Sequence, residues 1–227
     1  MGKDDSFARG LFRQVGGRSI AAMNLPNRLT LARIGLTAVF VAALLLPDSG
    51  WLLSHFPYGK TIALGLFVAA AITDWLDGWL ARRHKLETTF GALLDPVADK
   101  ILTTAAFICF IEQPSYRDGT PLVQAWMVLI IVAREFLVTG LRMIAGQRGV
   151  VLKAEKHGKN KTFSQMVTII VTLIGLAIRD DWFRFSVYAD RRFSQLVFGM
   201  MLVTVALTLW SGISYLWKNR EIFLSDA

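Results

Sequence analysis

Residues Thr73 to Lys100 read TDWLDGWLARRHKLETTFGALLDPVADK. An apolar run ends in this stretch, a short basic turn follows, and a second apolar run begins. Asp74, Asp77, Asp95 and Asp99 lie inside those runs or at their edges. On a helix, Asp74, Asp77, Gly78 and Ala81 fall at i, i+3, i+4 and i+7 and share one face. Gly91, Asp95 and Asp99 follow at i, i+4 and i+8. Two stripes of acidic and very small residues on consecutive helices make a pocket for hard cations, with room beside them for a bulky anion. Mg²⁺ takes oxygen ligands and combines a few carboxylates with substrate phosphates. Four aspartates suffice for two such ions, the arrangement that clamps both oxygens of a phosphoryl displacement. Taken singly, each also reads as a surface charge or cap, and Asp95 before Pro96 suits a helix start. Taken together, in membrane-type sequence, carboxylates are costly and mark function.

Outward from this stretch the chain keeps the same character. Of its 227 residues 54% are hydrophobic, and mean hydropathy is +0.46. The apolar residues come in runs about as long as a bilayer is thick, which argues against a soluble domain with a rich core. The expected fold is an all-α integral membrane protein with six transmembrane helices, near 28–46, 60–82, 92–112, 121–146, 163–178 and 194–217. The fifth is the shortest. Residues 1–23 hold Lys3, Arg9, Arg13 and Arg18 around a helical stripe of Phe7, Leu11, Phe12 and Val15, a basic amphipathic segment suited to anionic lipid. The expected domains are that segment, a membrane domain over 24–217 and a short tail over 218–227.

The net charge of +8 is concentrated in loops, which points to phosphate groups and lipid heads. With no base-reading motif, nucleic acid is not an expected partner. Cys109 is the single cysteine and cannot form an internal disulfide. Lys and Arg crowd the N-terminal segment, the 83–91 turn and the 147–162 loop, whereas 47–59 has none. That asymmetry predicts a multi-pass protein of the cell (inner) membrane with both termini cytoplasmic. The 179–193 stretch argues the other way with Arg179, Arg184, Arg191 and Arg192. In the favoured orientation the four aspartates meet at the cytoplasmic membrane surface, where a nucleotide arrives from water and acyl chains stay in lipid. A polytopic cation transporter is the rival class, but it predicts acidic residues spread across membrane depth.

Asp74-x-x-Asp77-Gly78-x-x-Ala81-Arg82, eight residues, then Gly91-x-x-x-Asp95-x-x-x-Asp99 resembles the complete signature of the CDP-alcohol phosphotransferase family. The segments Asn24 to Arg33, Phe90 to Lys100, Ala133-Arg-Glu135 and Gly158 to Thr162 resemble its bacterial branch that makes phosphatidylglycerol phosphate. The resemblance runs from about Asn24 to Met166 and fades after it. It implies transfer of a phosphatidyl group from CDP-diacylglycerol to sn-glycerol 3-phosphate. Inositol phosphate, serine or phosphatidylglycerol are the alternative acceptors, the last giving cardiolipin. It also implies that Asp74, Asp77, Asp95 and Asp99 hold two divalent cations, Mg²⁺ or Mn²⁺, with Asp99 as general base, and that the enzyme is a homodimer.

By the same resemblance, Leu25, Pro26, Asn27 and Arg28 line the nucleotide, as does Thr88. Gly78, Ala81 and Gly91 allow close approach of the backbone, and Arg82 offers a bidentate contact to phosphate. The acceptor phosphate is expected at Arg134, Arg142, Lys159 and Lys161, cations near one level of the chain. Arg134 and Glu135 equally read as a structural pair, and the lysines as ordinary loop charge. Arg33 has no assigned role.

Overall fold

The computed structural model describes residues 25–45, 58–84, 89–115, 119–147 and 156–220, with side chains over 31–45, 58–73, 100–115, 119–146 and 161–220. Six helices account for most of it: α1 Leu25–Leu45, α2 Gly59–His84, α3 Thr89–Ile111, α4 Ala125–Gln147, α5 Lys156–Leu176 and α6 Val187–Lys218. Each overlaps one of the apolar stretches read from the sequence, and the all-α expectation is borne out. Among the described residues the nearest thing to a strand is an isolated bridge between Pro114 and Pro121 in the turn before α4. The N-terminal amphipathic segment and the tail beyond Arg220 lie outside the described residues.

Beyond the start of α5, at Lys156 and not near 163, two boundaries bear on the argument. α3 begins at Thr89, so Pro96 lies inside the helix and Asp95 is not its cap. A single proline forfeits one intrahelical bond, which neighbouring groups in a membrane bundle can replace. The second difference is larger. α5 continues into a π-helical turn, Ala177–Trp182, and α6 already starts at Val187, with Ser186 accepting a cap bond from Ala189 N at 3.3 Å. The connection is therefore only 183–186, not 179–193. Part of the charge that read as loop lies inside the protein, while Arg184, Arg191 and Arg192 stay exposed. Arg179 donates to Asp180 at 2.6 and 3.2 Å, to Asp190 at 3.3 Å and to the Pro114 carbonyl at 3.0 Å. Asp190 also accepts from Ser115 Oγ at 2.8 Å. A buried polar group is tolerated only when such partners replace water.

α1 packs on α2 and α3, while α6 packs on α4 and α5. The core between them is aromatic and aliphatic: Phe40, Phe67, Phe107, Phe110, Met127 and Leu173 are all buried. The Phe193 ring of α6 packs directly on Gly175 of α5, where a Cβ would sit 2.0 Å from it. The outside is apolar as well. Leu129, Phe136, Phe163, Val203, Trp210 and Ile213 are all more than half exposed. Large apolar residues outside and threonines, arginines and lysines inside suit lipid as the surrounding medium. Lys161–Trp182 and Val187–Lys218 are each long and apolar enough to cross a membrane. α4 is of similar length but carries Arg134, Glu135 and Arg142.

Candidate active site

Glu135 is the centre of a buried polar cluster. It sits half-way along α4 with its side chain 8% exposed. Lys100 Nζ on α3 donates to its Oε2 at 3.1 Å, and Gln165 Nε2 on α5 donates to its Oε1 at 3.2 Å. Lys161 Nζ, one helical turn before Gln165, donates to the same Oε1. Arg134 Nη1 completes the group at 3.7 Å. A carboxylate at this depth requires cations around it, because charge desolvation in apolar surroundings otherwise drives it neutral or unfolds the site.

Glu135, Lys100, Lys161 and Gln165 line a cavity of about 130 Å³, together with Arg33 from α1, Ala71 from α2, and Thr103, Thr162 and Met166. Five helices thus contribute to one wall. Arg33, which had no role in the sequence, is buried there at 5% exposure. Lys100 was likewise not expected as a site residue; its only signal was its place next to Asp99.

The aspartate segments adjoin this cavity through the backbone. Asp74 lies three residues beyond Ala71 on α2, and Asp99 immediately precedes Lys100 on α3. Asp77, Gly78, Ala81 and Arg82 follow on α2; Gly91 and Asp95 come earlier on α3. Leu25, Pro26, Asn27 and Arg28 form the first turn of α1, eight residues or fewer before Arg33. Thr88 lies outside the described residues, as do the side chains of these other positions and of Lys159, which falls in the first turn of α5.

Of the four cations expected to bind the acceptor, three have described side chains, and they face different partners. Lys161 is held by Glu135. Arg134 donates from Nη2 to Ser211 Oγ on α6 at 2.7 Å. Arg142, two turns further along α4, lies with its guanidinium carbon 5.3 Å from the centre of the Tyr215 ring. The sequence reading missed Ser211 and Tyr215 entirely.

The segment order, the acidic signature on α2 and α3 and the cationic cavity beside it define a class. Residues 23–210 match the model of the CDP-alcohol phosphatidyltransferases, and the chain belongs to that family. It is 38% identical over 203 residues to the CDP-diacylglycerol–glycerol-3-phosphate 3-phosphatidyltransferase of Bacillus subtilis, covering 87% of this chain and 96% of that one. A relative of the same name from Rickettsia bellii is 36% identical over 202 residues, 88% of this chain and 97% of its own. A rice protein named cardiolipin synthase (CMP-forming) is 32% identical over 210 residues, 89% of this chain but 59% of its own. The family match reaches residue 210, well past Met166, where the motif-level resemblance fades.

Proposed function

We propose that this phosphatidyltransferase moves the phosphatidyl group of CDP-diacylglycerol to sn-glycerol 3-phosphate, producing phosphatidylglycerol phosphate and CMP. The supporting observation is the pairing of the signature on α2 and α3 with relatives whose names state that reaction and which align over nearly their whole length. The 1-hydroxyl of glycerol 3-phosphate attacks the β-phosphorus; the new P–O bond forms as the bond to the CMP oxygen breaks. Asp99 takes the hydroxyl proton. Arg82 contacts the pyrophosphate, and the first turn of α1 with Thr88 receives the cytidine. The cations of the Glu135 cavity attract the dianionic acceptor, and holding both substrates at one surface supplies the proximity term.

The donor set fits hard divalent cations: four carboxylates on two segments that flank one cavity. Asp74, Asp77, Asp95 and Asp99 would hold them, and the ions, Mg²⁺ or Mn²⁺, would neutralise the pyrophosphate as the reaction proceeds.

All six helices are read as membrane spans, with the site and both termini on the cytoplasmic side. Exposed aromatic residues support the depth. Tyr58, Trp182, Phe183 and Tyr188 gather at one end, and Trp210 and Trp217 lie towards the other. The rise from Tyr188 to Trp210 is about 33 Å, close to the ~30 Å of the hydrocarbon layer. The contrary charge of the 179–193 stretch is weakened as well, because Arg179 is sequestered with Asp180 and Asp190.

A panel of labelled acceptors tests the reaction: glycerol 3-phosphate, inositol phosphate, serine and phosphatidylglycerol, each with CDP-diacylglycerol and purified protein in detergent. The expected result is CMP release and a lipid product with glycerol 3-phosphate alone. Turnover with phosphatidylglycerol instead would shift the reading towards the rice relative's chemistry.

A further inference from the structure

We infer that the C-terminal half of α6 is the positioning element for the acceptor: Ser211, Gly212 and Tyr215 set the two α4 arginines that recognise its phosphate. The inference rests on the reaction proposed above. Its basis is that three consecutive features of one helix face all address those arginines. Ser211, 4% exposed, accepts from Arg134 Nη2 at 2.7 Å, while Arg134 Nη1 faces Glu135 at 3.7 Å. A guanidinium held at two nitrogens has its plane fixed, which a single contact does not achieve. Gly212 makes the approach possible, since a Cβ there would lie 3.1 Å from Arg134 Cγ. One turn on, the ring of Tyr215, 2% exposed, carries the Arg142 guanidinium at 5.3 Å. A guanidinium held over a ring face in this way is restrained and can still donate to an anion. The Nε of Arg134 is buried with no hydrogen-bond partner among the described residues.

Higher on the same face, Thr204 is also buried and hydroxylic, but it bonds Ser164 at 2.8 Å and Thr168 at 2.9 Å, not an arginine. It is the natural control.

The test measures both KM values for the full chain in detergent micelles, using CDP-diacylglycerol and labelled glycerol 3-phosphate. Ser211→Ala and Tyr215→Leu should each raise the glycerol 3-phosphate KM about fivefold and leave the CDP-diacylglycerol KM within about twofold. Tyr215→Phe keeps the ring and should behave as wild type. Thr204→Val should lower Tm about as much as Ser211→Ala and move neither KM, which separates positioning from packing. If Arg142→Ala raises the acceptor KM tenfold or more while Ser211→Ala and Tyr215→Leu do not move it, α6 has no positioning role although the acceptor site stands. Parallel shifts of both KM values, or an acceptor shift in Thr204→Val, would overturn the assignment too. Wild-type protein that ignores glycerol 3-phosphate and uses another acceptor would overturn the reaction and the role of α6 with it.

Discussion

Arg179 and Glu135 are both charged groups buried inside the helices, one at the π-helical end of α5 and one at the middle of α4, and their surroundings differ. Arg179 is 1% exposed and its partner Asp190 is fully buried. Its contacts run to two carboxylates and a carbonyl, and Ser115 closes the far side of Asp190. Glu135 is shared among Lys100, Lys161, Arg134 and Gln165, and all of these but Arg134 line a cavity of about 130 Å³. Lys100 keeps 21% of its side chain exposed. The desolvation penalty is severe in both places. In the first it is offset by protein groups that join the π-turn, the Pro114 turn and α6. In the second the cations also form a wall facing space, next to the aspartate segments. Burial of a charge therefore does not identify function; what the charge's partners border does.

The sharpest separation should come from the aspartate segments beside that space. In the proposed metal site, Asp77→Asn removes one oxygen ligand from the α2 segment and keeps the size of the side chain. CMP release should fall about a thousandfold or more, because losing a cation from a phosphoryl-transfer site costs several kcal/mol of transition-state stabilisation. Thermal unfolding followed by tryptophan fluorescence should be unchanged. Retention of more than about a tenth of the activity would count against the carboxylates as metal ligands. Adding EDTA to the wild type should reproduce the loss, and Mg²⁺ or Mn²⁺ should reverse it.

The opposite signature is expected at Arg179. Asp190→Asn preserves shape and the possibility of the Ser115 bond but leaves a buried guanidinium with one carboxylate fewer. The expected loss is about 2–3 kcal/mol of stability, with both KM values within about twofold of wild type. A changed KM at wild-type stability would break the contrast between the two clusters, since it would tie the π-helical end to the chemistry.

The two regions were unequally legible in the sequence. The helices were readable because each apolar run is long enough to bury or to face lipid. The carboxylates on α2 and α3 were readable because their spacing places them on shared faces whatever the packing. Within the 179–193 stretch Arg179 and Asp190 were misread, because a run of arginines and aspartates looks solvated and only tertiary contacts with the Pro114 turn show these two to be buried. Ser211, Gly212 and Tyr215 carried no signal, because a serine and a glycine inside an apolar helix are unremarkable until Arg134 is found against them. Arg33 and Lys100 were visible as charges, but their convergence on one cavity depends on how five helices pack. Side chains that act across helices leave no periodic trace in the sequence.

The smallest effect concerns a cap supplied from far away in the chain. Asp181, in the π-turn, accepts from Thr61 N at 2.6 Å, Thr61 Oγ1 at 2.7 Å and Lys60 N at 3.4 Å. Those amides open α2, where the first-turn N–H groups have no partner within the helix. A carboxylate there does what an N-cap side chain does and also complements the helix dipole. Trp182 adds a bond from Nε1 to Thr61 Oγ1 at 3.1 Å, so the π-turn clasps the start of α2 at two neighbouring residues. Asp181→Ala should lower stability by about 1 kcal/mol, a fall in Tm of roughly 2–4 °C for a chain of this size, with unchanged KM for both substrates. Asp181→Asn retains an acceptor oxygen and should lose less. If the alanine variant instead cost as much as Asp190→Asn, the two carboxylates would belong to one cooperative unit, and the cap at α2 could not be treated separately from the Arg179 cluster.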